Sequence, residues 1–283
     1  MISHPSPGAC TTAIAEFRRA LRMHDSMFYG GFYGGDIATS TLFVLLVVFV
    51  ATLVRSTFGF GEALIAVPLL AFFLPVREAA PLAVLLSISI AAIVVLQDWK
   101  HIHLRSAAGL LAATVFGIPV GLLLLTHASE QAIKAALGIL IALFAGYSLV
   151  SKKSPHLKTD HPVALLLAGF FAGVFGGAYG MNGPPLVTYG SLRRWPAQRF
   201  RATLHAYFLP ASILGMIGFW SAGLWTRPVT HAYITSLPAM LPAVFLGRAI
   251  NRRITGEVFV KYIYGGLLLI GATLVVEALR YGR

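Results

Sequence analysis

The chain has 283 residues, of which 57% are hydrophobic and 11% charged, and its mean hydropathy is +0.79. A soluble core of this size could not hide so much apolar surface, so the composition excludes a soluble globular protein and predicts an all-α, polytopic integral membrane protein. The formal charge of +12 does not indicate nucleic-acid binding, because the Lys and Arg residues lie in short loops between apolar runs. The expected partner is the lipid bilayer.

The first forty residues contain no apolar run that could cross a bilayer, and we interpret 1–40 as a flexible N-terminal extension. No segment typical of a cleavable signal peptide precedes Thr41, and Met27 stays open as an alternative start. Cys10 is the only cysteine, which excludes an internal disulfide and a thiolate metal cluster.

Apolar runs of about 20 residues, the length that crosses a bilayer, follow one another from Thr41 to Leu279. The first run, 41–75, is interrupted at Gly59 and Gly61 and divides into two pieces of about sixteen residues each. A second broken run occupies 163–192. Single spans are predicted at 79–96, 107–125, 132–150, 202–222, 232–246 and 258–279.

The pattern restarts after a polar linker, which indicates two related halves. A shift of 121 residues lays Gly59 on Gly180 and Gly61 on Asn182. Internal repeats of this kind are common in transporters. We predict an extension at 1–40, a first transmembrane repeat at 41–150, a basic cytoplasmic linker at 151–161 and a second transmembrane repeat at 162–283.

The orientation of the halves depends on how each broken run is placed. One crossing per broken run makes the halves parallel. A re-entrant hairpin makes them inverted and brings the basic loops to one side, as the positive-inside rule favours. We prefer the inverted arrangement. The loops concerned hold Lys100 and Arg105, Lys152, Lys153 and Lys158, the arginines of 193–201, and Arg248, Arg252 and Arg253.

Each glycine break is a candidate binding site, because unpaired backbone groups are tolerated at membrane depth only inside protein or beside water. Asn182 is placed to cap the helix after the second break, and a helix start directs free N–H groups and a positive dipole end at an anion. The alternative is that these small residues only permit close helix packing. The predicted anion-binding residues are Gly59, Gly61, Gly180, Asn182, Gly183 and Arg55.

Two titratable residues near the breaks are candidates for proton coupling. Glu62 stands in the first turn after the first break, where a carboxylate suits the helix dipole but could also carry a proton that moves with an anion. Arg55 is a candidate partner for Glu62 or for the anion itself, because an arginine in apolar surroundings seldom lacks one. His205, in the apolar span after the second break, is either a satisfied interior histidine or a proton relay or substrate contact.

The stretch FGFGEALIAVPLLAFFLPVREAAPLAVLLS, from Phe58, and its Gly- and Pro-containing counterpart after the linker resemble the sulfite exporter TauE/SafE family of membrane permeases. The similarity covers most of 41–279. It implies a multi-pass permease of the cell membrane, built from two related halves, that moves sulfite or organosulfonates. Glu62 stands where many members of the family have a further glycine.

Motifs of known enzymes do not occur in the sequence, which lacks HExxH, GxSxG and P-loop patterns. We therefore predict a permease for a small anion, with no cofactor and no metal, and not an enzyme. Two alternatives stay open, a membrane-embedded enzyme and a structural membrane subunit without transport activity. The sequence also leaves open the specific anion, the direction of transport, the coupling ion and whether the protein is a homo-oligomer.

Overall fold

The computed structural model describes residues 37–98, 104–150, 162–193, 197–251 and 257–281, and the regular structure in these ranges is entirely helical. The helices are α1 (Ile37–Phe58), α2 (Glu62–Leu70), α3 (Val76–Asp98), α4 (Leu104–His127), α5 (Glu130–Val150), α6 (Pro162–Tyr179), α7 (Gly183–Leu192), α8 (Ala197–Ser221), α9 (Arg227–Asn251) and α10 (Glu257–Tyr281).

The chain divides into two compact units, Met1–Phe43 and Val44–Arg283. Of the first unit only the start of α1 is described, so the rest of the predicted extension at 1–40 lies outside the described residues, as does the predicted linker at 151–161. All contacts discussed below lie within the second unit. That unit contains both predicted halves, and the boundaries between them stay a prediction.

Seven of the described helices are long and apolar enough to cross a membrane: α1, α3, α4, α5, α6, α8 and α9. The prediction of an all-α, multi-pass membrane protein is therefore confirmed. The helices α2 and α7 have only 9 and 10 residues. At 1.5 Å per residue they extend roughly 15 Å, about half the thickness of the hydrocarbon core.

The first broken run differs from its prediction, because its pieces have 22 and 9 residues rather than about sixteen each. The helix α2 stops at Leu70, whose carbonyl accepts the N–H groups of both Phe73 and Leu74. The turn ends at Leu74, directly before Pro75, and helical geometry is disfavoured at a residue that precedes proline. The next helix, α3, begins directly after the proline.

Two helices from different predicted halves, α4 and α6, pack with their backbones in contact. The facing pairs advance by four residues along both helices, so the two run in the same direction: Leu110 with Gly169, Thr114 with Gly173, and Ile118 with Gly177. A Cβ atom on Gly173 would lie 2.9 Å from the Cα of Gly117 and 3.0 Å from the backbone nitrogen of Ile118. Small residues permit this close approach, as is common between helices in membranes.

The short helix α7 packs back against α6. Its residues Leu186 and Tyr189 belong to one buried cluster with Ala172 of α6, Leu110 of α4 and Tyr207 of α8. The contacts favour the hairpin interpretation of the second broken run over a single crossing. The internal repeat and its inverted orientation stay predictions.

The helices α3 and α8 form the centre of the bundle. Their membrane-crossing segments are 67% and 56% buried, more than any other described span. The two pack against each other, α3 also contacts α2 and α9, and α8 also contacts α4 and α6. Near the middle of both helices, the hydroxyl of Ser212 donates a hydrogen bond of 3.1 Å to the hydroxyl of Ser87.

Arg77 joins the start of α3 to the end of α4. Its guanidinium donates to the carbonyl oxygens of Leu125, Thr126 and Ala128, at 3.0 to 3.2 Å. Arg77 therefore belongs to the first turn of α3 and not to a loop. The last carbonyls of a helix lack intrahelical donors, and a basic side chain supplies them here.

The close packing of α4 and α6 predicts different outcomes for two Gly→Ala substitutions. Gly173→Ala should lower the thermal unfolding midpoint in detergent by several degrees, since overpacking costs about 1–3 kcal/mol and each kcal/mol shifts Tm by roughly 2–4 °C. Gly215→Ala on α8 is the control, because a Cβ there would meet nothing within 4 Å. It should leave Tm unchanged or raise it slightly. Equal melting temperatures for the two variants would contradict this account.

Candidate functional site

The two breaks have the same backbone construction. Each is three residues long, between α1 and α2 and between α6 and α7, and their bounds differ by the same 121 residues. The N–H of Gly59 donates to the carbonyl of Arg55, and the N–H of Gly180 donates to that of Gly176. Gly59 and Gly180 have φ values of 88° and 67°, which end a helix at little cost only when the residue is glycine.

The start of α2 offers a complete set of unpaired backbone donors. The first hydrogen bond of the helix runs from the N–H of Ile65 to the carbonyl of Gly61. The N–H groups before it, those of Gly61, Glu62, Ala63 and Leu64, therefore have no partner within the helix. Together with the helix dipole they make this end favourable for negative charge.

The start of α7 offers fewer donors. Pro184 and Pro185 occupy its second and third positions and have no N–H, so of the four terminal donors only those of Asn182 and Gly183 remain. Asn182 does precede the helix, as predicted. Its side chain cannot cap in the usual way, however, because the N–H groups that a cap residue binds are the ones that the prolines lack.

A polar cavity lies where the two breaks meet. It is lined by parts of α1, α2, α3, α7 and α8 and by both breaks, and six of the residues singled out from the sequence reach it: Arg55, Gly61, Glu62, Gly180, Asn182 and Gly183. The cavity leaves about 20 Å³ for the centres of water-sized molecules. This is room for about one water, so a larger solute requires the surrounding helices to separate.

A buried ion pair forms the charged wall of this cavity. Arg55 Nη1 lies 2.5 Å from Glu62 Oε2, and the two side chains are 4% and 1% exposed. The same nitrogen donates to the hydroxyl of Ser87 at 2.6 Å. The guanidinium carbon lies 4.9 Å from the centre of the Phe208 ring, a favourable cation–π distance. The predicted pairing of Arg55 with Glu62 is therefore confirmed.

The ion pair leaves hydrogen-bonding capacity unused. Within the described residues, Glu62 Oε1 and Arg55 Nε are buried and have no hydrogen-bond partner. A buried polar atom without a partner costs free energy, and such atoms in a native protein call for an explanation such as an unseen water or ligand. Both side chains line the polar cavity.

Several residues of the site have no signal in the sequence. Ser87 and Phe208 line the cavity and hold the Arg55 guanidinium from α3 and α8, and Ser212 supports Ser87. Each lies within an apolar run and is not part of a recognisable sequence motif. Only the three-dimensional packing of α1, α3 and α8 brings these side chains together.

A second, uncharged network lies behind Asn182. The Nδ2 of Asn182 donates a long hydrogen bond of 3.5 Å to the hydroxyl of Tyr207, which is 2.6 Å from the Thr114 hydroxyl. A Cβ on Gly176 would lie 2.5 Å from Asn182 Oδ1, so the glycine makes room for the amide. The network connects the second break to α4 and α8.

Two predicted residues lie outside the lining of the polar cavity. Gly59 caps α1, as described above. His205 is buried on α8, and its ring meets the edge of the Phe208 ring at a centroid distance of 6.3 Å. Among the described residues, no three His, Cys, Asp or Glu side chains come together as a set of metal ligands.

The two breaks differ chemically. A shift of 121 residues places Gly176 at the position of Arg55 and Gly183 at that of Glu62. The ion pair therefore belongs to the first break alone. The second break has an amide, Asn182, in place of the charges.

The burial of the ion pair predicts a strong coupling between its two members. Arg55→Met and Glu62→Met should each destabilise the protein by about 3–5 kcal/mol, because each leaves an uncompensated buried charge. The double variant should be more stable than either single variant, since both charges are then gone. Thermal unfolding in detergent measures this, and a double variant whose loss equals the sum of the single losses would show that the pair does not interact.

The comparisons with known proteins agree with this architecture. Residues 44–274 match the model of the sulfite exporter TauE/SafE family. A protein of Cupriavidus necator named "Probable sulfite/organosulfonate exporter TauE" is 24% identical over 226 residues, which cover 78% of this chain and 88% of the relative. No solved structure matches the chain. With seven membrane-length helices among its described residues, the chain is a multi-pass protein of the cell membrane and belongs to the sulfite exporter TauE/SafE family.

Proposed function

We propose that this protein is a permease that moves sulfite or organosulfonates across the cell membrane and binds the anion in the polar cavity. The observation that carries the proposal is the buried pair of Arg55 and Glu62 facing a cavity that both helix breaks line. The name of the Cupriavidus necator relative and the family of the chain support the class of substrate. Family membership also favours transport over catalysis.

Arg55 is the proposed receptor for the anion. Guanidinium groups bind oxyanions through two parallel hydrogen bonds, and one nitrogen of Arg55, Nε, has no partner among the described residues. The free N–H groups at the start of α2 approach the same cavity. Gly61 and Gly183 lack side chains, so the backbone at both breaks stays accessible to a bound solute.

Glu62 is the proposed carrier of a coupled proton. In the absence of substrate its carboxylate neutralises Arg55, and the site holds no net charge. An added anion would leave one uncompensated negative charge in a medium of low dielectric, which is costly. Protonation of Glu62 removes that cost and frees Arg55 for the anion. The proton and a monovalent anion would then cross the membrane together in the same direction. This cotransport would be electrically neutral.

Two re-entrant hairpins, as predicted from the sequence, would allow the cavity to open to each side in turn. In an inverted arrangement the first hairpin enters from one face and the second from the other, and their tips meet at the polar cavity. The packing of α7 back along α6 supports this arrangement for the second half. Movement of one hairpin away from α3 or α8 would open a path to one face at a time.

The remaining sequence candidates have supporting parts in the proposal. Gly59 and Gly180 end α1 and α6 and thereby set the positions of the hairpin tips. Asn182 provides an amide to the side of the anion opposite Arg55. His205 contacts Phe208, which packs on Arg55, so its protonation is proposed to act on the site through that ring.

Flux of labelled sulfite in proteoliposomes tests the role of Arg55. Arg55→Gln should lower flux at least tenfold, because the neutral amide cannot compensate the anion, whereas Arg55→Lys should keep part of it. Arg227→Gln, at an exposed position at the start of α9, is the control and should match the wild type. Equal flux in the wild type and Arg55→Gln, at equal amounts of folded protein, would rule out the receptor role.

A pH gradient tests the role of Glu62. In the wild type, an acidic compartment should drive the anion out of that compartment, because protonated Glu62 favours binding there. Glu62→Gln should lose this dependence while still exchanging labelled for unlabelled anion, since the amide mimics the protonated acid. Glu277→Gln on α10 is the control. A Glu62→Gln variant that kept the wild-type pH dependence would exclude the coupling role.

The same vesicles separate transport from the alternatives. A permease redistributes sulfite without changing the total, a membrane-embedded enzyme consumes it, and a structural subunit produces no flux and no effect of Asn182→Leu. Chemical recovery of all the labelled sulfite after translocation would support the permease.

A further inference from the structure

A second, apolar cavity adjoins the polar one. It lies between α1, α2 and α10, and its buried lining consists of Val54, Leu64, Ile65, Tyr264 and Leu267. Its size is similar to that of the polar cavity, about 20 Å³ for the centres of water-sized molecules. The lining presents hydrocarbon and aromatic surface, so a water molecule there would find few hydrogen-bond partners.

Most of the lining of the apolar cavity is buried. Five of its eight lining residues are at most 9% exposed, and Leu267 is only 1% exposed, while Phe58, Phe60 and Gly61 are half-buried. By contrast, Leu269 on the same helix is 71% exposed. The cavity is therefore placed to receive a part of a solute that has already entered the transport site.

The two cavities share one wall. Phe60, Gly61 and Leu64 line both of them. On α1, the consecutive residues Val54 and Arg55 face the apolar and the polar cavity respectively. Gly61 has no side chain, so at this position only its backbone separates the polar cavity from the apolar cavity. This arrangement suits a small solute with an anionic head and a short hydrocarbon chain.

We propose that the apolar cavity binds the hydrocarbon part of a short organosulfonate whose sulfonate lies at Arg55. This rests on the function proposed above and adds the site that distinguishes an organosulfonate from sulfite, which would occupy the polar cavity alone. In this state the cavity has room for about one water-sized group, so a chain of more than about one carbon atom requires α10 to move away from α1 and α2. Leu267, on α10, forms the far wall and sets the length that fits.

A series of straight-chain sulfonates tests the proposal in proteoliposomes that contain the full chain. Methane-, ethane-, propane-, butane- and octanesulfonate compete with labelled sulfite for transport. Each added methylene should lower the inhibitory concentration about fourfold until the cavity is full, and octanesulfonate should inhibit less well than butanesulfonate.

Two substitutions at one position should move the length limit in opposite directions. Leu267→Phe fills the cavity, and the ratio of butanesulfonate to methanesulfonate affinity should fall at least tenfold. Leu267→Ala enlarges the cavity, and the longest chain accepted should increase. Leu269→Phe makes the same change on the exposed side of α10 and should leave the ratio as in the wild type. The ratio is measured within one preparation, so a lower yield of folded protein does not affect it.

The outcomes separate the two proposals. Sulfite transport with equal inhibition by all chain lengths would overturn the apolar subsite and leave the permease intact. An absence of flux for sulfite and for every sulfonate would overturn both. A co-purifying phospholipid that Leu267→Phe displaces, together with an unchanged affinity ratio, would assign the cavity to a lipid chain and overturn the subsite.

Discussion

The contact on which the site depends is the ion pair between Arg55 and Glu62. Two opposite charges in an apolar bundle are stable only if they meet, and in this chain they stand on either side of a helix break. Gly59 makes the contact possible, because its left-handed backbone ends α1 and lets the chain turn before α2 begins. Ser87 and Phe208, from the two most buried described spans, α3 and α8, then hold the guanidinium. The helix break, the ion pair and the central helices therefore depend on one another.

The two predicted halves have helix breaks with the same backbone geometry but with different side chains. Both breaks are three residues long and end the preceding helix with a glycine of positive φ. The first half adds an arginine, a glutamate and a full set of terminal N–H groups. The second half has Gly176 and Gly183 at the matching positions, and two prolines remove half of its donors. A solute between the breaks therefore meets a charged surface on one side and a neutral, hydrogen-bonding surface on the other.

The sequence predicts the helices and the breaks well because both follow from local rules. Hydrophobic length locates the spans, and glycine locates the breaks. Pairing of Arg55 with Glu62 is also predictable, because a buried arginine needs a nearby carboxylate. Ser87, Phe208 and Ser212 could not be predicted, since single residues in apolar runs carry no pattern and lie far along the chain from Arg55. The absence of a cap at Asn182 follows from its two prolines, but only once the first residue of α7 is known.

The glycine contacts between α4 and α6 limit how this bundle can deform. Side chains that interlock at a distance can exchange rotamers and slide, whereas two backbones in direct contact have no such freedom. We therefore expect α4 and α6 to move as one rigid unit. Because Thr114 and the second break belong to this unit, we expect the nine-residue α2 and the turn after it to be the elements that deform.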